Sequence, residues 1–181
     1  LLIYALIINA GVCATSAVLF QQSFWLFLST VLAPIIVLMT LSYNGWMQSV
    51  NVAWTFTAFG FIYLGFGQLF DRRLITRFNP PESGRQLHPF ALPFYYPGCL
   101  LSILALLVAT DNKLLTIGVY SAIVALYVLS RLLLRQQVFL YPAAGLAVVP
   151  YFLAVTLTAL PRQWHGLAWL PFLVTYIGLG R

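Results

Sequence analysis

Long apolar runs alternate with short polar breaks along almost the whole chain. Seven such runs are predicted as spans, at 1–20, 24–41, 52–70, 90–110, 114–134, 138–160 and 164–180. A helix of roughly 20 apolar residues is long enough to cross the hydrocarbon core of a bilayer. The pattern therefore predicts an all-α, polytopic transmembrane protein. Because most breaks are short, consecutive helices are expected to be antiparallel neighbours.

Composition supports this environment and excludes a soluble globular domain. The chain is 62% hydrophobic and 7% charged, whereas soluble domains carry about 25% charged residues. It begins at Leu1 inside an apolar run, without Met, and ends at Arg181 just after another run. We therefore expect residues 1–181 to form a single transmembrane domain within a longer chain.

Basic residues fall mainly on one side of the predicted topology. If the breaks alternate sides, seven arginines lie on the side of the long break at 71–89, against Lys113 and Arg162 on the other side. Short cytoplasmic loops carry an excess of Lys and Arg. The pattern predicts integration in a cell membrane, the bacterial cytoplasmic membrane, with the Arg-rich break 71–89 in the cytoplasm.

Short motifs recur along the chain. The stretch YLGFGQ at 63–68 returns as YIGLGR at 176–181, and QQSF at 21–24 returns as QQVF at 136–139. Self-similarity at a period of roughly 20 to 50 residues indicates a repeated architectural unit. We predict tandem helical-hairpin repeats, formed by spans two and three, spans four and five, and spans six and seven.

Small residues in spans four and six are spaced for helix packing. FYYPGCLL from Phe94 matches FLYPAAGL from Phe139, 45 residues later. A stripe of small residues on a helix lets a neighbouring backbone approach closely. The Tyr-Pro pairs at 96–97 and 141–142 are expected in first helical turns, where proline is tolerated. The predicted packing residues are Gly98, Ser102, Ala105, Ala109, Ala143, Ala147 and Ala154.

Neither the glycine motif nor the cysteines indicate a cofactor. A dinucleotide fingerprint requires G-x-G-x-x-G between a strand and a helix, whereas Phe70 stands at the third glycine position, in an apolar helix. Cys13 and Cys99 lack paired spacing and are expected to be buried small apolar residues. His88 and His165 lie at span edges rather than span centres. We therefore predict no bound cofactor, no metal and no nucleic-acid partner.

Two polar groups outside the spans are candidates for binding or catalysis. Asp111, Arg162 and His165 come from two outer breaks and form a weak catalytic candidate, because they combine an acid, a cation and an imidazole. Basic residues after span three are candidates for contact with anionic headgroups or for docking of a partner. These residues are Arg72, Arg73, Arg77 and Arg85.

The hydroxyl groups inside the spans, among them Thr30, Thr57 and Tyr63, either line a polar path or bond to helix carbonyls. The first functional interpretation is an integral membrane scaffold, accessory subunit or membrane anchor, with no catalytic centre in this segment. Its partners would be membrane lipids and other membrane subunits or further parts of its own chain. The alternatives are a transporter or lipid-handling permease, and a membrane enzyme that acts on a lipid-linked substrate.

Overall fold

The computed structural model describes residues 2–20, 22–78, 90–134 and 136–158, together with 167, 169, 170 and 174; for 72–78 the description is of the backbone. This part of the chain is all-helical, and short 3₁₀ turns, Ala109–Asp111 and Gln137–Phe139, precede the last two helices. Each helix, taken with its adjoining turn, fits a membrane span by length and composition. The six helices are α1 Leu2–Phe20, α2 Ser23–Tyr43, α3 Ser49–Phe78, α4 Leu92–Val108, α5 Lys113–Leu134 and α6 Leu140–Leu157.

The first six predicted spans lie on these six helices, while the seventh, 164–180, falls largely outside the described residues. The membrane-fitting stretch of α3, Ser49–Asp71, ends where the break at 71–89 is predicted to begin, while the helix itself continues to Phe78. Its sequence contains neither Gly nor Pro between Gln68 and Pro80, so nothing there disfavours the helix. At about 1.5 Å per residue, the 30 residues of α3 exceed a hydrocarbon core of roughly 30 Å. Part of α3 must therefore lie outside the hydrocarbon.

The chain divides into two compact units, Leu1–Ala109 and Thr110–Arg181. In the first unit, α3 packs against α4 and α1 packs against α2, while α2 also contacts α3 and α4. In the second unit, α5 packs against α6. The repeat in the sequence instead groups span two with span three and span six with span seven. Among the described helices, the main packed pairs therefore join different predicted repeat units, while the predicted pairing of span six with span seven falls largely outside the described residues.

Each Gln-Gln motif contributes an extended residue before a helix, the second glutamine in the motif at 21–22 and the first glutamine in the motif at 136–137. Gln22 precedes α2 with φ −107° and ψ 120°, and Gln136 precedes the 3₁₀ turn before α6 with φ −101° and ψ 122°. An extended residue before a helix is the usual conformation of an N-cap, although neither glutamine side chain makes a capping hydrogen bond. These turns connect the members of two packed pairs, α1–α2 and α5–α6.

The end of α2 is closed by a glycine in the left-handed region. Gly45 has a φ of +71°, and the N–H groups of Gly45 and Trp46 donate to Ser42 O and Leu41 O at 3.1 and 2.8 Å. A left-handed residue after a helix lets the last carbonyls regain partners in this way. A Cβ at Gly45 would meet no atom within 4 Å, so the backbone conformation alone restricts this position.

The second glycine of YLGFGQ lies under an aromatic ring. A Cβ built at Gly67 would stand 2.5 Å from Tyr95 Cε1, whereas one at Gly65 would meet nothing within 4 Å. Gly67 therefore lets α3 receive the Tyr95 ring of α4. The motif lies inside α3 and does not mark the end of this helix, because α3 continues to Phe78.

Alanine substitutions at three glycines separate backbone strain from packing. Gly45→Ala leaves the space open but forces alanine into the left-handed region, which costs about 1–2 kcal/mol. Gly67→Ala keeps a helical backbone but drives a methyl group into the Tyr95 ring, for an expected loss of about 1–3 kcal/mol. Gly65→Ala is the matched control and is expected to be neutral or slightly stabilising, since alanine favours helix over glycine.

Unfolding of the purified chain in bicelles by added sodium dodecyl sulfate, followed by circular dichroism, measures these three changes. Equal stability of the Gly65 and Gly67 variants would contradict the close approach of Tyr95. An unchanged stability of the Gly45 variant would contradict the left-handed cap of α2.

Candidate functional site

Two prolines inside helices of the first unit each deprive a backbone carbonyl of its helical partner. Proline has no N–H, so within a helix it leaves the carbonyl four residues earlier without a donor. Pro34 lies inside α2 and Pro97 inside α4. The carbonyls affected by this spacing are those of Thr30 and Pro93. All four residues are buried, where a carbonyl without a donor is costly.

Hydroxyl groups from other helices donate to both of these carbonyls. Tyr63 Oη on α3 donates to Thr30 O on α2. Thr30 Oγ1 in turn lies 2.8 Å from Pro93 O on α4. The donors therefore run from α3 to α2 and from α2 to α4. We call this set, Thr30, Pro34, Tyr63, Pro93 and Pro97, the proline junction.

The Thr30 hydroxyl has two acceptors for its single hydrogen. Its Oγ1 lies 2.8 Å from Phe27 O, one turn earlier in α2, and 2.8 Å from Pro93 O. A hydroxyl carries only one donor hydrogen, so the two carbonyls share or alternate this hydrogen. The bond to Phe27 O is local, whereas the bond to Pro93 O ties α2 to α4.

Aromatic rings surround the junction on the α3 side. The Phe94 ring centroid lies 6.1 Å from that of Tyr63, 5.9 Å from that of Phe66 and 5.2 Å from that of Phe70. Phe59 contacts Tyr63 edge to face at 5.5 Å. Aromatic pairs at such distances stabilise by about 0.5–1.5 kcal/mol beyond the burial of their area. The rings hold the Tyr63 side chain in position to reach Thr30.

The predicted packing residues differ in burial. Gly98, Ser102 and Ala105 on α4 and Ala109 in the 3₁₀ turn that follows are all buried, and a Cβ at Gly98 would lie 3.3 Å from Tyr63 Cβ. On α6 the small residues differ in exposure, since Ala143 is buried, Ala147 is half-buried and Ala154 is exposed. Close packing by small residues is thus continuous along α4 and not along α6.

The Tyr-Pro pairs do not occupy equivalent positions. Pro142 is the third residue of α6 and lies in its first turn, as predicted. Pro97 is the sixth residue of α4 and lies inside the helix, so the prediction for this pair is wrong. The reason is that α4 begins at Leu92, one residue before another proline, Pro93, which takes the first-turn position. Pro97 is consequently left inside the helix.

Several other span hydroxyls donate to carbonyls of their own helix. The Oγ1 atoms of Thr55 and Thr57 lie 2.7 and 2.8 Å from the carbonyl oxygens four residues earlier. Ser130 Oγ lies 2.8 Å from Leu126 O in the same manner. Ser29 instead donates to Ala10 O at 3.1 Å and so joins α2 to α1. These hydroxyl groups therefore donate their hydrogens to backbone carbonyl oxygens, either within one helix or between two helices.

The charged candidates are not members of the proline junction, and several of them lie outside the described residues. Asp111 is exposed in the 3₁₀ turn before α5, while Arg162 and His165 lie outside the described residues. The backbone at Arg72, Arg73 and Arg77 belongs to α3, and Arg85 lies outside the described residues. The catalytic and headgroup roles of these residues stay predictions.

The cysteines are both free, Cys13 buried in α1 and Cys99 half-buried in α4. Within the described part of the chain, no three His, Cys, Asp or Glu side chains are grouped so that they would hold a metal ion. Comparisons with family models, with curated proteins and with solved structures gave no match for this chain.

Sequence reasoning named Thr30 and Tyr63 as span hydroxyls but did not pair them. The available signal was the spacing Thr30 to Pro34 and Pro93 to Pro97, since each proline leaves the carbonyl four residues earlier without a donor. Which side chains donate to these carbonyls depends on contacts between α2, α3 and α4. Such contacts have no periodic signature in the sequence.

A double-mutant cycle between Tyr63 and Pro34 tests the junction. Tyr63→Phe removes the donor to Thr30 O and should destabilise the chain by about 0.6 kcal/mol, with an upper bound of about 1.7 kcal/mol for such bonds in membranes. Pro34→Ala restores an N–H to the same carbonyl. Tyr63→Phe should therefore cost less in the Pro34→Ala background, and sodium dodecyl sulfate unfolding measures the difference.

Tyr96→Phe is the matched control, because Tyr96 is 65% exposed on the same helix as Pro97. It should leave the free energy of unfolding unchanged. If Tyr63→Phe costs the same in the parent chain and in the Pro34→Ala background, the two residues do not serve one carbonyl and the pairing is refuted.

Proposed function

We propose that this chain is an integral membrane scaffold, accessory subunit or membrane-anchoring domain. The observation that carries the proposal is the proline junction, in which buried polar groups pair with one another and brace three helices. Breaking such a network would leave buried carbonyls without donors. The junction therefore favours one fixed arrangement of α2, α3 and α4 rather than a site that exchanges partners with a substrate.

The outer surfaces of the helices support the same proposal. Within an 18-residue apolar stretch of each span, 11% of the residues are buried in α1, α2 and α6, against 44% in α3 and 50% in α4. The exposed residues of α1 include Ile7, Ile8 and Val12. Faces of this kind suit lipid and the apolar helices of membrane partners. The proline junction fixes α2, α3 and α4 relative to one another, and the exposed apolar helix faces offer contact surfaces. This combination fits a protein that holds other membrane components in place.

The finer architecture is also part of the proposal. We propose seven spans built from tandem helical hairpins. The return of QQSF at 21–24 as QQVF at 136–139 supports a duplicated origin. Leu167, Leu170 and Val174 are helical and exposed, and the Trp169 ring centroid lies 5.6 Å from that of Tyr151 on α6. These contacts support a seventh span near α6.

The orientation can be tested with single cysteines. We propose a bacterial cytoplasmic membrane with the Arg-rich segment 71–89 in the cytoplasm, because basic residues concentrate in cytoplasmic loops. In a background with Cys13→Ala and Cys99→Ala, an impermeant maleimide should label Asn112→Cys in intact cells. Ser83→Cys should react only after the cells are made permeable. The reverse pattern would overturn the orientation.

Native purification tests the scaffold role. The tagged chain, extracted in mild detergent from the cells that produce it naturally, should carry another membrane protein at a fixed ratio in mass spectrometry. The Tyr63→Phe variant, if folded, should release more of that protein on mild heating. A chain that purifies alone and moves solutes or lipids when reconstituted in liposomes would instead be a transporter. Such a result would contradict the scaffold proposal.

A further inference from the structure

Arg131 stands in the last turn of α5 with a partly buried guanidinium group. The residue is half-buried, and its Nε atom is buried without a hydrogen-bond partner among the described residues. It follows Ser130 and lies one turn after Tyr127, which are both on the buried face of α5. A guanidinium that has lost part of its hydration requires acceptors and opposite charge nearby.

The second unit supplies no carboxylate within reach of this group. Between Thr110 and Arg181 the sequence contains one acidic residue, Asp111. Asp111 precedes the start of α5, while Arg131 is near its end. At about 1.5 Å per residue, the two lie about 30 Å apart along the helix axis. An ion pair between them is therefore excluded.

The position of Arg131 along α5 places it close to a membrane boundary. The 22 residues of α5 give a helix of about 33 Å at about 1.5 Å per residue, which matches a hydrocarbon core of roughly 30 Å. Arg131 is three residues from the end at Leu134, about one turn inside. Long basic side chains at such positions extend towards the headgroups.

We propose that Arg131 binds the phosphate group of an anionic phospholipid at this end of α5. Because Nε is covered by the protein, a lipid phosphate can meet only the two Nη groups, which still present planar, paired donors. The net charge of +6 for the whole chain favours anionic over zwitterionic lipid. The proposal does not involve the arginines of α3, and it does not depend on the scaffold role. The competing explanation is that Arg131 only balances the partial negative charge at the C-terminal end of α5.

The test measures lipid retained by the purified full chain. Native mass spectrometry, after equilibration in micelles with equal phosphatidylglycerol and phosphatidylcholine, counts each lipid bound. We expect preferential retention of phosphatidylglycerol, reduced about fivefold or more by Arg131→Gln. Lys113→Gln is the matched control, because it removes an exposed charge from the other end of α5. It should leave retention unchanged.

Arg131→Lys distinguishes the lipid site from a purely structural role. Lysine preserves the charge that meets the helix end but loses the paired donors, so retention should fall between that of the parent and that of Arg131→Gln. It also keeps the test valid if the glutamine variant fails to fold. Equal loss with Arg131→Gln and Lys113→Gln, or unchanged retention with both Arg131 variants, would overturn the proposal. Complete displacement of the lipid by inorganic phosphate would show that the site serves a free anion instead.

Discussion

A carbonyl that loses its helical donor within a membrane has no water to replace it, and this constraint shapes the first unit. Pro34 and Pro97 each remove one such donor, and both removals occur at buried positions. The structure meets the need with side-chain hydroxyls, Tyr63 for Thr30 O and Thr30 for Pro93 O. The carbonyls of Thr30 and Pro93, which would otherwise accept hydrogen bonds within their own helices, therefore accept them from other helices and link α2, α3 and α4.

The packing between α3 and α4 makes these bonds geometrically possible. Gly98 lets the Tyr63 Cβ approach, with only 3.3 Å between that atom and a Cβ built on the glycine. Gly67 receives the Tyr95 ring, and Phe94 lies against three rings of α3. A larger residue at Gly98 would push Tyr63 away from α4 and so weaken its reach towards α2. The small residues and the hydroxyl groups thus act together. The small residues allow the close helix approach that the hydrogen bonds between helices require.

The sequence predicted what depends on composition along one helix and missed what depends on contacts between helices. Apolar run length predicted the ranges of the first six spans, because crossing a bilayer sets a minimum helix length. It did not predict that the helix itself extends beyond the span to Phe78, since charge alone does not end a helix. The partners of Thr30 lie 33 and 63 positions away along the chain, where periodicity carries no information.

The same hydroxyl chemistry bears on function. A pathway for a polar solute needs groups that can exchange an internal partner for the solute at little cost. Tyr63 and Thr30 donate to carbonyls that have lost their helical N–H groups, so such an exchange would leave a buried carbonyl without a donor, at a cost of about 1–3 kcal/mol each. Thr55, Thr57 and Ser130 donate to carbonyls of their own helices. A centre of this kind resists rearrangement, which is the property that the proposed scaffold role requires.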